Sequence, residues 1–344
     1  TQAKTLFPYT TLFRSKMTLE GFNTVGGGMS GSGEVAQRLL QSGFNVNSLR
    51  TLGTLRKDEW IHFDNALVEI ARPNLIAAND LMSRGLSFNL PNALGSTRIE
   101  WERISDMDPA AVSMSGISES QNDRVVYDLD GMPVPIIHKD FNINIRALEA
   151  SRRNGMPLDT TQVRLATRKV AEQIEGMIFN GASVLGTNNM IYGYTNAVYR
   201  NTGALTASWA TATGAQIVAD VLAMVQASIN DNMNGPWVIY CSTLAFNNLS
   251  NDYKAESDKT IMQRIKEIPG ILDVRPTTYL PVKQVVMVQM TSDVIDLVNG
   301  IPPTIVEWSS HGGMVMHFKV LAIMLPRVRN DQLNQSGIMH FTAP

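Results

Sequence analysis

The stretch from Pro133 to Gly181 decides the fold of this chain. It begins PVPIIHKDFNINI, continues RALEASRRNG, and ends in a long helical pattern closed by IFNG. Between Ile137 and Ile145, apolar residues fall mostly at odd positions and polar residues at even positions. A period of two indicates a strand with one buried face. The first part of the stretch therefore predicts a strand that lies against a core.

The second part of the stretch predicts a long helix over residues 159–179. Asp159 is a candidate N-cap, and Gln162 follows three residues later, as in a capping box. Apolar side chains then recur at spacings of three and four: Val163, Ala166, Val170, Ile174 and Met177. About 20 residues of helix extend roughly 30 Å. Periodicity alone indicates a long amphipathic core helix.

Two segments before this stretch have the pattern of extended elements. Residues 18–33 are rich in Gly, Ser and Thr, which is typical of a flexible arm, and a short amphipathic pattern follows at 34–41. Residues 98–104 and 124–129 alternate like strands around a polar segment, and Asp130-Gly131 reads as a turn. The pattern predicts a hairpin with a long polar tip. A plain surface hairpin is the alternative reading.

The remaining elements are predicted from hydrophobic periodicity and from the glycine and proline residues that end them. Helices are predicted at 57–71, 75–82, 214–232 and 260–268. Buried strands are predicted at 237–241 and 285–290, and further strands at 304–308 and 314–325. Because strands and helices alternate between residues 200 and 300, this region predicts a compact α/β lobe.

Composition excludes several classes of protein. The chain has 344 residues, of which 44% are hydrophobic and 17% charged, as in an ordered globular protein. The net charge of −2 gives no sign of the basic surface of a nucleic-acid reader. Cys241 is the single cysteine, so an intrachain disulfide is impossible, and its apolar neighbours predict a buried, inert thiol. No apolar run approaches the length of a transmembrane helix.

Motifs for chemistry are weak. The glycine run at 26–28 lacks the Lys-Ser/Thr of a phosphate loop, and Asp128–Gly131 matches only the start of a calcium loop. The five histidines have no spacing typical of a zinc site. His138 and Asp140 share a strand face, which would orient a catalytic imidazole or make an ordinary surface pair. We therefore expect no catalytic, cofactor-binding or metal-binding residue.

The order of these elements resembles two related families. A strand, a short helix, a Gly-containing break and a long helix ending in Phe179-x-Gly181 are similar to the core of encapsulins and tailed-phage major capsid proteins, which share the Hong Kong 97-type fold. The likeness is clearest over residues 130–196 and extends more weakly from residue 57 to the end. It implies an α+β fold in which the predicted long helix is the spine helix of a capsid subunit.

The resemblance also implies a division of the chain. The expected parts are an N-terminal arm at 17–56, a peripheral domain at 57–96 and 132–198 with the spine helix at 159–179, an extended loop at 97–131, an axial domain at 199–300, and return strands of the peripheral domain at 301–344. Residues 5–15 resemble a translated sequencing adapter. We therefore expect residues 1–16 to have no packed role, so that a chain starting at Met17 would assemble equally well.

The function implied by the resemblance is mechanical. Pentamers and hexamers of the chain would close an icosahedral shell around phage double-stranded DNA, without sequence-specific binding and without a membrane. Scaffolding, portal and decoration proteins are the further partners implied, and the virion is the expected location. One alternative is an encapsulin shell that holds an enzyme cargo. Another, from a different class, is an α/β enzyme whose site is assembled from distant residues.

Overall fold

The computed structural model describes residues 57–104, 112, 114, 124–153, 160–184, 190–254, 258–330 and 334–344. The predicted arm, the cap at Asp159 and most of the predicted hairpin tip lie outside these ranges. The chain forms two compact units. Of these described residues, the first unit contains those up to Thr97 together with those in Val134–Ile178 and Asp296–Pro326, and the second contains those in Arg98–Pro133, Phe179–Ile295 and Arg327–Pro344.

Helices and strands alternate irregularly along the described residues. The helices are α1 (Lys57–Asn74), α2 (Ile76–Ser83), α3 (Ile145–Arg153), α4 (Thr161–Asn180), α5 (Gly214–Asn230), α6 (Thr243–Asn248) and α7 (Ile261–Lys266). The strands are β1 (Ser87–Asn89), β2 (Arg98–Ile104), β3 (Tyr127–Pro133), β4 (Ile137–Asn144), β5 (Ala182–Ser183), β6 (Met190–Ile191), β7 (Asn201–Ala204), β8 (Trp237–Ser242), β9 (Ile271–Thr277), β10 (Gln284–Gln289), β11 (Ile295–Ser310), β12 (Val315–Val328) and β13 (Ile338–Thr342). A short 3-10 turn, His311–Gly313, joins β11 to β12.

The first unit is built around a four-stranded sheet and the helix α4. The strand order is β1-β11-β12-β4, with β1 parallel to β11 and β4 antiparallel to β12. The stripe predicted for the long helix is confirmed, because Val163, Val170 and Ile174 are all buried. Phe318 of β12 stacks on Phe141 of β4 with ring centroids 5.1 Å apart. The decisive stretch of sequence thus supplies both a strand and the main helix of this core.

The second unit contains a five-stranded mixed sheet of order β7-β13-β10-β8-β9. Its strand β8 is buried along its whole length, as the apolar run in the sequence predicted. Helix α5 begins at a capping box in which the Thr213 side chain accepts from the Gln216 backbone N–H and Gln216 bonds back to Thr213. Ile217, Val221 and Met224 of this helix are buried in the apolar cluster of the unit. Helices and strands of the region predicted as an α/β lobe, up to Ile295, lie in this unit, together with the C-terminal strand β13.

Several local predictions were wrong at their edges. Asp130-Gly131 is not a turn but lies inside β3, opposite Trp101 and Glu100 of β2. The glycine fits there because a Cβ would lie 2.9 Å from the Ile99 carbonyl oxygen, which signals close approach of the two backbones and not a reversal of the chain. Ile145 begins α3 instead of ending the strand.

Two apolar side chains within the predicted helix 214–232 and the predicted strand 314–325 are exposed. Ile229, in the last turn of α5, is 43% exposed, and Met314, in the turn before β12, is 59% exposed. Both lie at the end of their element, where the periodic pattern continues in the sequence but the packed neighbour does not. Periodicity reports which side of an element is apolar and not how far the opposing surface reaches.

The C-terminal strand joins a different sheet from the one expected. Residues 301–344 were predicted to return to the sheet beside the long helix, and β11 and β12 do so. Strand β13, however, pairs with β10 and β7 in the five-stranded sheet. Residues 179–198 also cluster with the second unit, although they were assigned to the same domain as the long helix. The peripheral and axial roles of the parts remain predictions.

Candidate assembly elements

Strands β2 and β3 form the predicted hairpin within the second unit. They pair antiparallel from Arg98↔Pro133 to Ile104↔Tyr127. One face is packed, because Ile99 and Met132 are buried. Tyr127 and Leu129, by contrast, are 63% and 62% exposed. The hairpin therefore has a fixed base and an exposed apolar face along its outer half.

The base of this hairpin lines a cavity of about 220 Å³ in the second unit. Trp101 and Arg103 contribute from β2, and Tyr192 and Tyr199 from the segment that follows β6. The Arg103 guanidinium pairs with Asp128 of β3 at 2.5 Å, which ties the two strands together across the wall of the cavity. The hairpin is therefore packed against other residues of the second unit at its base.

The end of helix α4 explains the Phe-x-Gly pattern noted in the sequence. The Phe179 ring meets Tyr194 and Tyr240 edge to face, with centroids 5.4 and 5.3 Å away. Gly181 has φ +68°, the left-handed conformation that commonly ends a helix, and a Cβ there would lie 2.3 Å from the Ile191 carbonyl oxygen. The Thr195 backbone N–H donates to the Phe179 carbonyl at 2.8 Å. The last turn is thus fixed by packing, by backbone conformation and by a hydrogen bond.

A buried carboxylate joins the long helix to α2 in the first unit. Glu175 Oε1 accepts from the Ala77 backbone N–H at 2.6 Å, and Oε2 accepts from that of Ala78 at 3.4 Å. Burial raises the pKa of Glu175 to about 7, with a further contribution from Asp80, while the backbone donors act in the opposite direction. Sequence periodicity did not single out this residue, because a glutamate on an amphipathic helix is normally exposed.

The residues weighed for chemistry in the sequence make ordinary contacts. His138 Nδ1 lies 3.4 Å from Asp140 Oδ1, both side chains are 49% exposed, and Asp140 also faces Lys319 Nζ at 3.5 Å. This is the geometry of a surface pair. Cys241 is fully buried, as predicted, and burial raises the pKa of its thiol to about 12.

The described part of the chain contains neither a cluster of metal ligands nor a membrane span. No group of three or more His, Cys, Asp or Glu side chains in these ranges is arranged to hold a metal ion. No helix in the same ranges has the length and apolar character needed to cross a membrane.

Solved structures share this fold. The crystal structure of a virus-like particle from Pyrococcus furiosus matches with a TM-score of 0.56 at 17% identity, over 80% of this chain and 98% of that one. The capsid of Myoviridae Phage XM1 matches with a TM-score of 0.59 at 9% identity, over 72% and 86% of the two chains. The fold is therefore the α+β Hong Kong 97-type fold of phage capsid and encapsulin-like proteins, as the sequence resemblance implied.

Sequence comparison matches the chain to a curated relative and to a protein family. The Type 1 encapsulin shell protein EncA of Myxococcus xanthus (strain DK1622) is 29% identical over 138 residues, which is 40% of this chain and 46% of that protein. The chain thus matches less than half the length of this relative. A family model described as "Family of unknown function (DUF6260)" matches residues 47–341, and the chain belongs to that family.

Proposed function

We propose that this chain is the structural subunit of a closed icosahedral shell, and that the shell is a phage capsid enclosing double-stranded DNA. The observation that carries the proposal is that the chain has both an extended hairpin and a long, well-packed helix. The hairpin β2–β3 has a fixed base and exposed apolar side chains, and the 20-residue helix α4 is fixed at its C-terminal end. In a closed symmetric assembly the same contacts recur between neighbours, and these elements would supply such contacts.

The contents of the shell are the finer part of the proposal. The net charge of −2 suits a container that confines DNA without binding each phosphate. The match to the virus-like particle covers nearly all of that chain but 80% of this one, so this subunit carries additional residues beyond the shared fold. Pentamers and hexamers of the chain would form the wall, with portal, scaffolding and decoration proteins as partners in the virion.

An encapsulin compartment is the second candidate, and a specific observation favours it. The relative matched at 29% identity is an encapsulin shell protein. In that case, the same wall would surround an enzyme cargo in place of a genome. The two candidates share the fold and the assembly elements, and they differ in what co-purifies with the shell.

The test is to express the full chain, purify assemblies by size, and image them by electron microscopy. Closed icosahedral particles are expected. Particles purified from the source should contain nuclease-protected DNA and a portal protein in the capsid case. A stoichiometric enzyme and no protected genome would indicate the encapsulin case. A chain that remains monomeric at high concentration, with or without co-expressed scaffolding protein, would overturn both.

A further inference from the structure

The turn between β11 and β12 brings together two of the five histidines of the chain. The Ser310 hydroxyl oxygen lies 2.9 Å from His311 Nδ1 and 2.6 Å from His317 Nε2. Two imidazole nitrogens thus converge on one oxygen atom. This arrangement is absent from the sequence pattern because the histidines are six residues apart, on either side of a turn.

The backbone fixes this convergence. His311, Gly312 and Gly313 have φ values of 52°, 65° and 87°, so three consecutive residues lie in the left-handed region. Two of them are glycines, which adopt that region without a steric cost. The resulting reversal places the start of β12 beside the end of β11, and the side chains of residues 311 and 317 meet at Ser310.

The ring of His317 is also held in orientation. It stacks on the Trp308 indole with centroids 5.3 Å apart and planes 11° from parallel. Lys319 places a positive charge near this ring, since its Nζ lies 5.7 Å from the centroid of the same indole. Asp140 lies 3.5 Å from that ammonium and offsets its charge. A ring that is already oriented loses less conformational freedom when it binds a ligand.

We propose that His311 Nδ1 and His317 Nε2 bind one divalent first-row transition metal ion, with Cu²⁺ bound more tightly than Ni²⁺ or Zn²⁺. Imidazole nitrogen is a preferred ligand of these ions, at about 2.0–2.1 Å for zinc, and copper leads the affinity order. Rotation of the Ser310 hydroxyl to another staggered rotamer would free the position that its oxygen now occupies. His311 is exposed, so water completes the coordination. The site departs from the expectation that the chain binds no metal, and it does not depend on shell assembly.

The experiment uses the full chain, freed of metal by chelation, and titrates Cu²⁺ and Ni²⁺ by calorimetry. One ion per chain is expected, and the Cu²⁺ electron paramagnetic resonance spectrum should show coupling to two imidazole nitrogens. His311→Asn and His317→Phe should each weaken binding by about tenfold or more and leave coupling to one nitrogen. Asparagine tolerates the left-handed backbone, and phenylalanine retains the stack on Trp308, so both variants should remain folded.

His62→Gln is the matched control. His62 is exposed on α1, and its replacement should leave the stoichiometry, the affinity and the spectrum unchanged. Thermal unfolding of each metal-free variant separates loss of a ligand from loss of the fold. The proposal is overturned if the wild-type chain takes up no ion. It is also overturned if the folded His311→Asn and His317→Phe variants bind as the wild type does.

Discussion

At Glu175 and Gly181, the tertiary contacts of a residue determine its role in or beside the long helix. Glu175 lies on this helix, whose periodicity is that of an ordinary amphipathic helix, and Gly181 directly follows its last residue, Asn180. Glu175 is 1% exposed and bonds to the start of α2, whereas Glu172, one turn earlier, pairs with Lys169 and Arg168 at the surface. The two residues are of the same type, but their pKa values shift in opposite directions. Burial raises the pKa of Glu175, whereas the hydrogen bond to Lys169 lowers that of Glu172.

Glu175→Gln should remove a pH dependence of stability. The folded-state pKa of about 7 lies above the unfolded value near 4.5, so the folded chain holds the extra proton between these values. Stability should therefore fall as pH rises from about 4.5 to 7, by up to about 3 kcal/mol, and the glutamine variant should lack this contribution. Urea unfolding of the unassembled subunit across this range is the measurement.

Glu172→Gln is the control for that experiment. The pKa of Glu172 is lowered chiefly by its hydrogen bond to Lys169, while burial acts in the opposite direction. Its side chain is 28% exposed, so removing the charge should change stability by less than about 1 kcal/mol. A Glu175→Gln variant that keeps the pH slope of the wild type between pH 5 and 7 would show that Glu175 does not hold the extra proton.

Gly181→Ala should destabilise the end of the long helix by more than the backbone cost alone. A left-handed alanine costs about 1–2 kcal/mol, and at Gly181 the new Cβ would also lie 2.3 Å from the Ile191 carbonyl oxygen. Gly312→Ala has a similar φ of +65° but no atom within 4 Å of its Cβ, so it should show the backbone cost only. Equal losses in the two variants, measured by chemical denaturation, would contradict the close contact at Gly181.

At the scale of the element, the long helix α4 has one face that carries the core and one that does not. Ile174 is fully buried, and Leu165 on the same helix is 55% exposed. A single exposed leucine is ordinary on a protein surface, and in the proposed shell it would be available to a neighbouring subunit. The two positions therefore allow folding and assembly to be separated within one helix.

Ile174→Ala should cost about 2–5 kcal/mol of folding stability, because it leaves a cavity in a packed core. Leu165→Ala should change the stability of the isolated subunit by less than about 0.5 kcal/mol. Assembly yield, measured by size-exclusion chromatography, should fall in the Ile174 variant by more than its monomer stability suggests, because every subunit carries the defect. An Ile174→Ala loss below about 0.5 kcal/mol would mean that this face is not core.

At the scale of the whole molecule, the hairpin β2–β3 exposes apolar side chains that its own chain does not cover. Its base packs at Ile99 and Met132, but its outer half exposes Tyr127 and Leu129. At residues 112 and 114, the side chains of Val112 and Met114 are fully exposed. A specific interface usually buries more than about 1,000 Å², and exposed apolar side chains on an extended hairpin supply part of such an area.

Replacing residues 106–123 with a short Gly-Ser linker should leave a folded subunit that no longer closes shells. The hydrogen-bonded pairing of strands β2 and β3 remains in this variant. The circular dichroism spectrum and the thermal midpoint should therefore stay close to those of the wild type. Electron microscopy should then show monomers or open fragments. Shells of normal size and yield would contradict the assembly role of the hairpin.

The sequence by itself determined the elements whose signals are local. The alternation before Ile145, the stripe of Val163, Val170 and Ile174, and the apolar run of β8 each lie within one short window, so the chain predicts them without knowledge of its partners. The same is true of the Phe-x-Gly helix end, because glycine is the residue that ends a helix in the left-handed conformation. These signals, in their order, sufficed for the α+β fold and its resemblance to shell proteins.

Only the tertiary structure decided the rest, because it depends on contacts between residues far apart in the chain. Strand β13 pairs with β10 and β7 and not with the sheet of β11 and β12, and nothing in its own five residues specifies that choice. The buried state of Glu175 depends on donors 98 and 97 residues away. The meeting of His311 and His317 depends on a turn whose geometry is set by three consecutive left-handed residues. Periodicity gives the face of an element, and long-range pairing alone gives what that face meets.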